Sequence, residues 1–142
     1  MSFSPYLRAL GIGVVAGMRS MTAPAATLLS GGHERAGLAA LAAGGEALAD
    51  KLPFIPPRVA PPVLGARLLS GGWSGGVLAA RGEGSRIGGI VLGVAGAAAS
   101  TWLFYRLRQT LNKVWGWPDL PVALAEDVAT VWLAWSVTAN SA

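Results

Sequence analysis

Cysteine is absent from the 142 residues, and histidine occurs once, at His33. The first absence removes disulfide frameworks, thiolate metal centres and cysteine nucleophiles. The second removes a His-built zinc site and a Ser-His-Asp triad. Charge is scarce as well: Asp, Glu, Lys and Arg make up 13% of the chain, about half of the roughly 25% usual in a globular domain. The 11 basic residues are spread along the chain, so the clustered basic face of a nucleic-acid binder is missing despite a net charge of +4. What is abundant is apolar: 53% of residues are hydrophobic and the mean hydropathy is +0.51. Twenty Gly and nine Pro do not signal disorder here, because disordered segments are poor in apolar residues. The length suits one domain. Together these counts predict a small integral membrane protein with no cofactor and no nucleic-acid partner.

Five apolar runs separate the charged bursts, at about 7–30, 36–52, 60–80, 87–111 and 120–137. They predict an all-α polytopic bundle of about five transmembrane helices in one domain. The first run carries Gly13 and Gly17, and the fourth carries Gly89, Gly93 and Ala97, both at four-residue spacing. Small-xxx-small stripes let helices approach closely in lipid, and they also offer surfaces for self-association. Pro53, Pro56 and Pro57 stop the second run. The third is the weakest, because Ser70 to Gly76 is poor helix former. In the fifth, Trp117 and Trp135 are separated by about 27 Å of helix, close to a hydrocarbon core of about 30 Å. Trp115, Trp117, Trp132 and Trp135 therefore read as interface anchors.

Ala23-Pro24-Ala25 has the look of a signal-peptide cleavage site, but Arg19 would then end the apolar region rather than precede it. Cleavage is not expected. With five crossings, Arg8, Lys51, Arg58, Arg106, Arg108 and Lys113 share one side and Arg35, Arg81 and Arg86 the other. That imbalance predicts a cytoplasmic N-terminus and an outer C-terminus. Leu28 to Gly32 recurs as Leu68 to Gly72, a faint repeat that Ala/Leu/Gly composition produces easily.

The informative residues are charges inside the runs. An intramembrane charge costs about 2.5–3.5 kcal/mol on insertion scales and usually faces a partner or a polar path. Arg19 falls near the middle of the first run. Glu46 and Asp50 lie at i and i+4 on the second, with Lys51 after them. Arg67 lies in the third, and Glu126 and Asp127 in the fifth. By helical rise, Glu46 and Glu126 are each about 9 Å and Arg67 about 10 Å from the same boundary. Glu46, Asp50, Arg67, Glu126 and Asp127 are thus expected in one layer, with Arg19 above and Lys51 at the rim.

Such a layer fits a path for an ion or small solute, which makes the chain channel- or transporter-like. Ion pairs that only fix helix packing in a structural or assembly protein fit it equally well. A Mg²⁺-dependent lipid-modifying enzyme would use the same carboxylates, but the neighbouring cations compete for those oxygens. No metal site and no catalytic set is therefore assigned. His33 reads as an interfacial residue, and Gly82-Glu83-Gly84 as a turn, since no Gly-Lys-Ser/Thr follows it.

Gly17-Met18-Arg19, the segment from Glu46 through Asp50-Lys51 to Pro53, and Ala125-Glu126-Asp127 resemble a bacterial membrane-protein family catalogued as domain of unknown function 4126. The likeness runs from about residue 9 to 137, and Glu-x-x-x-Asp-Lys-x-Pro is its most specific part. It implies a small polytopic protein of the bacterial inner membrane, and it implies no reaction.

Overall fold

The computed structural model describes residues 4–19, 22–32, 37, 41, 44–45, 61–116 and 118–139. These residues form five helices and no strand: α1 (Pro5–Met18), α2 (Thr22–Ser30), α3 (Pro61–Arg81), α4 (Arg86–Lys113) and α5 (Asp119–Thr138). Three of the helix starts are legible in the sequence. The Ser4 hydroxyl accepts from Leu7 N at 3.2 Å with Pro5 in the first turn, and the Ser85 hydroxyl accepts from Gly88 N at 3.2 Å. Both satisfy a donor that the helix itself leaves unpaired. Pro61 and Pro62 open α3 where no N–H is needed. The α3–α4 turn uses Glu83 in the left-handed region, φ 61°, with Gly84 N donating to Ala79 O at 2.8 Å.

Three helices make the centre. α3 and α4 form an antiparallel pair, and α1 packs against both, parallel to α4. Glycine sets the distance between them. A Cβ added at Gly71 would lie 2.6 Å from Gly93 O, and one at Gly96 would lie 2.6 Å from Leu10 O. One at Gly13 would collide with the Gly93 carbonyl, and one at Gly89 with the Ala79 methyl. Gly17 packs in the same way on Ala97, Ser100 and Thr101. The expected packing residues Gly13, Gly17, Gly89, Gly93 and Ala97 therefore all lie in this seam. The seam also explains why Ser70 to Gly76 is continuous helix: packing against α4 overrides weak propensity.

The first apolar run departs from expectation. A single helix would separate Pro5 from Thr27 by about 33 Å. Yet Pro5 packs on Gly82 and Gly84, while Arg81 Nη1 donates to Thr27 O at 2.9 Å and to Ser30 Oγ at 3.0 Å. Both ends of the run meet the same turn. The chain therefore goes in along α1, reverses after Met18 and returns along α2. Arg19 occupies the tip, in extended conformation (φ −149°, ψ 115°).

α5 runs antiparallel to α1, with Val137 against Gly11 and Asp127 at Arg19. The start of α1 and the end of α5 consequently share one end of the bundle. With the reversal, Arg8, Arg81 and Arg86 stand toward one end and Arg106, Arg108 and Lys113 toward the other, an even division. The 36–52 run lies outside the described residues apart from residues 37, 41 and 44–45.

The interior mixes small and polar residues with a few larger apolar ones, whereas the exterior is bulky and apolar. Ala9, Ala16, Ala97, Ser74 and Thr101 are buried beside Ile12, Val15, Met18 and Leu78, and among the described residues the largest fully buried side chain is that of Arg67. Leu69, Ile87, Leu103, Val128, Trp132 and Trp135 are all more than half exposed. Among the described residues, α4 is the one helix long and apolar enough to cross a membrane, with a mean hydropathy of 1.7 over its best 18 residues.

The seam generates a test. Gly93→Ala places a methyl group against the Gly71 carbonyl and should destabilise the fold by about 1–3 kcal/mol. Gly65→Ala, on α3 with open space around it, should be neutral or stabilising by up to about 1 kcal/mol. Thermal unfolding of the purified variants distinguishes them, and equal melting temperatures would disprove the role of the seam.

Candidate functional site

A chain that reverses inside a protein leaves backbone carbonyls without helical partners, and buried carbonyls must be paired. At the end of α1 the Gly17 carbonyl accepts from two side chains. Arg67 Nη1 reaches it from α3, and Thr101 Oγ1 reaches it from α4 at 3.2 Å. Ser100 Oγ donates to Val14 O at 2.9 Å one turn earlier. Arg67 is 1% exposed and is a structural clasp on the hairpin.

With α1 ended at Met18, Arg19 points across to α5. Its guanidinium donates to Asp127 Oδ1, a hydrogen-bonded ion pair. The two partners differ in access: the Arg19 side chain is 3% exposed and that of Asp127 25%. Glu126, the next residue, faces α4, where Arg108 Nη1 stands 3.8 Å from its Oε2. Two adjacent carboxylates are thus divided between two arginines on different helices. Arg19, expected above the charged layer, is paired with one of its expected members, Asp127. Glu46, Asp50 and Lys51 lie outside the described residues, so their convergence with Glu126 and Asp127 is not part of the described site.

Beside the ion pair opens a cavity of about 600 Å³ between α2 and α5. Its floor is Arg19, Thr22 and Asp127. Ala25, Ala26, Val131 and Ala134 form its walls, and Leu29, Trp135 and Thr138 stand toward its outer end. Gly44 contributes to its lining. From Asp127 to Ala139 the cleft follows about 18 Å of α5. It therefore extends from one end of the bundle to the hairpin tip. A second, smaller hollow of about 290 Å³ lies between α4 and α5, lined by Phe104, Leu107, Arg108, Leu111 and Glu126 among others.

α2 is held at both ends. Arg81 caps its last turn through Thr27 O and Ser30 Oγ, while Asp127 stands beside its start on the cleft floor. A cation at the C-terminus and an anion near the N-terminus both oppose the helix dipole favourably. Among the anchors, Trp115, Trp132 and Trp135 are 62%, 66% and 68% exposed, and Trp117 lies outside the described residues. Trp102, also exposed, carries the Arg106 guanidinium 4.4 Å above its ring. Among the described residues no group of three or more His, Asp or Glu side chains converges to hold a metal.

Sequence reasoning missed Thr101, Arg81 and Arg108 as partners of the site. Thr101 continues the four-residue spacing of Gly89, Gly93 and Ala97, but nothing in the sequence marked the Gly17 carbonyl as its acceptor. The comparisons add no relative: no family model, curated protein or solved structure matches the chain.

The ion pair makes a clear energetic prediction. Removing one partner of a buried pair costs about 3–5 kcal/mol, whereas replacing both by apolar residues is often neutral. Arg19→Met and Asp127→Leu should each destabilise strongly, and the double variant should recover most of the loss. Chemical unfolding of the four proteins measures this coupling, and additive losses would show that the two residues act independently.

Proposed function

We propose that this is a small multi-pass membrane protein in which the α1–α2 hairpin is re-entrant and the α2–α5 cleft is a channel- or carrier-type site for a small solute. The observation that carries this reading is the reversal at Arg19, which puts a break in helical backbone and an ion pair at the bottom of a cleft midway through the bundle. Non-helical backbone at membrane depth is tolerated only where protein buries it or where it lines a water-filled cavity. Broken helices at mid-depth form the substrate sites of many transporters.

The distribution of side chains supports the membrane part. A surface of Leu, Val, Ile and Trp over an interior rich in Gly, Ala, Ser and Thr, with only a few larger residues such as Ile12, Val15 and Leu78, is suited to lipid, where small residues hold helices together. Exposed apolar surface on this scale would aggregate in water. α4 adds length. About 30 Å separates Arg86 from Arg106 along its axis, the thickness of a hydrocarbon core. The bacterial inner membrane is the location that the family resemblance implies.

A second reading assigns the charges to architecture alone. Arg67 and Arg81 favour it, since each is engaged with backbone carbonyls. It does not account for the cleft beside Arg19 and Asp127. The lipid-modifying enzyme has less support, because Glu126 and Asp127 face arginines.

The absence of cysteine supplies the experiment. In membrane vesicles, Ala26→Cys on the cleft wall should react with a water-soluble thiol reagent, while Leu103→Cys on the outer face of α4 should not. Proteoliposomes should pass at least one member of a panel of inorganic and organic ions, with the rate changed at least tenfold by Asp127→Asn. Labelling of the Ala26→Cys variant with no flux across the panel would refute passage, and recovery of the protein in the soluble fraction would refute the membrane reading.

A further inference from the structure

Resting on the reading of this chain as a membrane protein, we propose that the outer face of α4, at its C-terminal end, binds one anionic phospholipid with the phosphate held by Arg106 and Lys113. Length is the first argument. α4 has 28 residues, about 42 Å of helix, and the roughly 30 Å from Arg86 to Arg106 already matches a hydrocarbon core. The remaining residues to Lys113 add about 10 Å. They pass through the headgroup layer, since core and headgroups together measure about 40–45 Å.

Charge is the second argument. Arg106 and Lys113 are exposed and stand two turns apart on one face of the helix. α4 contains no Asp or Glu. Among the described residues the carboxylates that meet arginines are taken by Arg19 and Arg108, so Arg106 and Lys113 keep their charge for an outside partner. The Arg106 guanidinium lies 4.4 Å above the Trp102 ring. A ring face steadies the cation without supplying an acceptor oxygen, which leaves the N–H fork for a phosphate.

The surface beside these charges suits the rest of a lipid. Toward the membrane centre the same face continues through Trp102, Ala99, Ala95 and Val91, all exposed. The two alanines leave a shallow strip next to the indole in which an acyl chain can lie. A second copy of the chain fits this face less well. Inserted the same way, it would set Arg106 and Lys113 against their own equivalents, and like charges brought together disfavour association.

Native mass spectrometry of the purified protein in detergent, titrated with phosphatidylglycerol or phosphatidylcholine of identical chains, tests the site. The first phosphatidylglycerol should bind at least tenfold more tightly than phosphatidylcholine. Arg106→Gln and Lys113→Gln should each weaken it about fivefold, and the double variant should bring it close to phosphatidylcholine, whose own binding stays constant. Arg86→Gln removes an exposed charge at the other end of the same helix and should leave the preference intact. Equal affinity for the two lipids, or a loss as large for Arg86→Gln as for Arg106→Gln, would overturn the proposal. Incorporation into phosphatidylcholine nanodiscs is measured in parallel. A protein that incorporates but shows no phosphatidylglycerol preference would remove the lipid site and keep the membrane reading, whereas one that stays soluble without lipid or detergent would remove both.

Discussion

Backbone-to-backbone contact across glycine is the constraint on which the structure depends. Where Gly13, Gly71 and Gly93 meet, α1, α3 and α4 are too close for any side chain larger than hydrogen at those positions. That closeness brings a short residue, Thr101, within reach of the Gly17 carbonyl, and places Arg67 so that its long stem arrives at the same oxygen. With that carbonyl paired from two sides, and the Val15 carbonyl accepting from Arg19 N, α1 can end at Met18 deep in the protein. The reversal, the orientation of Arg19 and the cleft all follow from this. A wider helix spacing would leave the Gly17 oxygen unpaired, and burying such a group alone costs about 1–3 kcal/mol.

Arg67 and Arg81 share one physical task, which is to supply donors where helices stop. A guanidinium has five N–H groups in a fixed fork and is always charged. Arg67 uses it at the end of α1 and Arg81 at the end of α2. Arg19 differs because its partner is a carboxylate on another helix. α2 has nine residues, fewer than the about 12–15 at which isolated helices become even marginally stable. Its persistence therefore depends on these end contacts and on packing, and not on propensity.

The sequence disclosed composition, helical positions and the packing stripes, because each is a local pattern. The runs at 60–80, 87–111 and 120–137 coincide with α3, α4 and α5, and the spacing of Gly89, Gly93 and Ala97 marked the face that packs. Depth arithmetic singled out Arg19 and Asp127 as residues needing partners, yet it assumed that every long apolar run is straight. The reversal after Met18 was illegible because it is fixed by tertiary contacts. Gly17-Met18-Arg19-Ser20-Met21 contains no proline, and the Pro24 that follows is inside α2. The bond from Arg67 to the Gly17 carbonyl was equally illegible, because it depends on where α1 ends.

On the proposed reading, the ion pair at the hairpin tip also explains how a cleft that ends halfway could lead onward. Any opening past the tip must separate Arg19 from Asp127. A ligand can shift a conformational equilibrium only by its difference in affinity for the two states, so a solute that opens the tip must interact more favourably with the separated Arg19 and Asp127 than with the ion pair they form here.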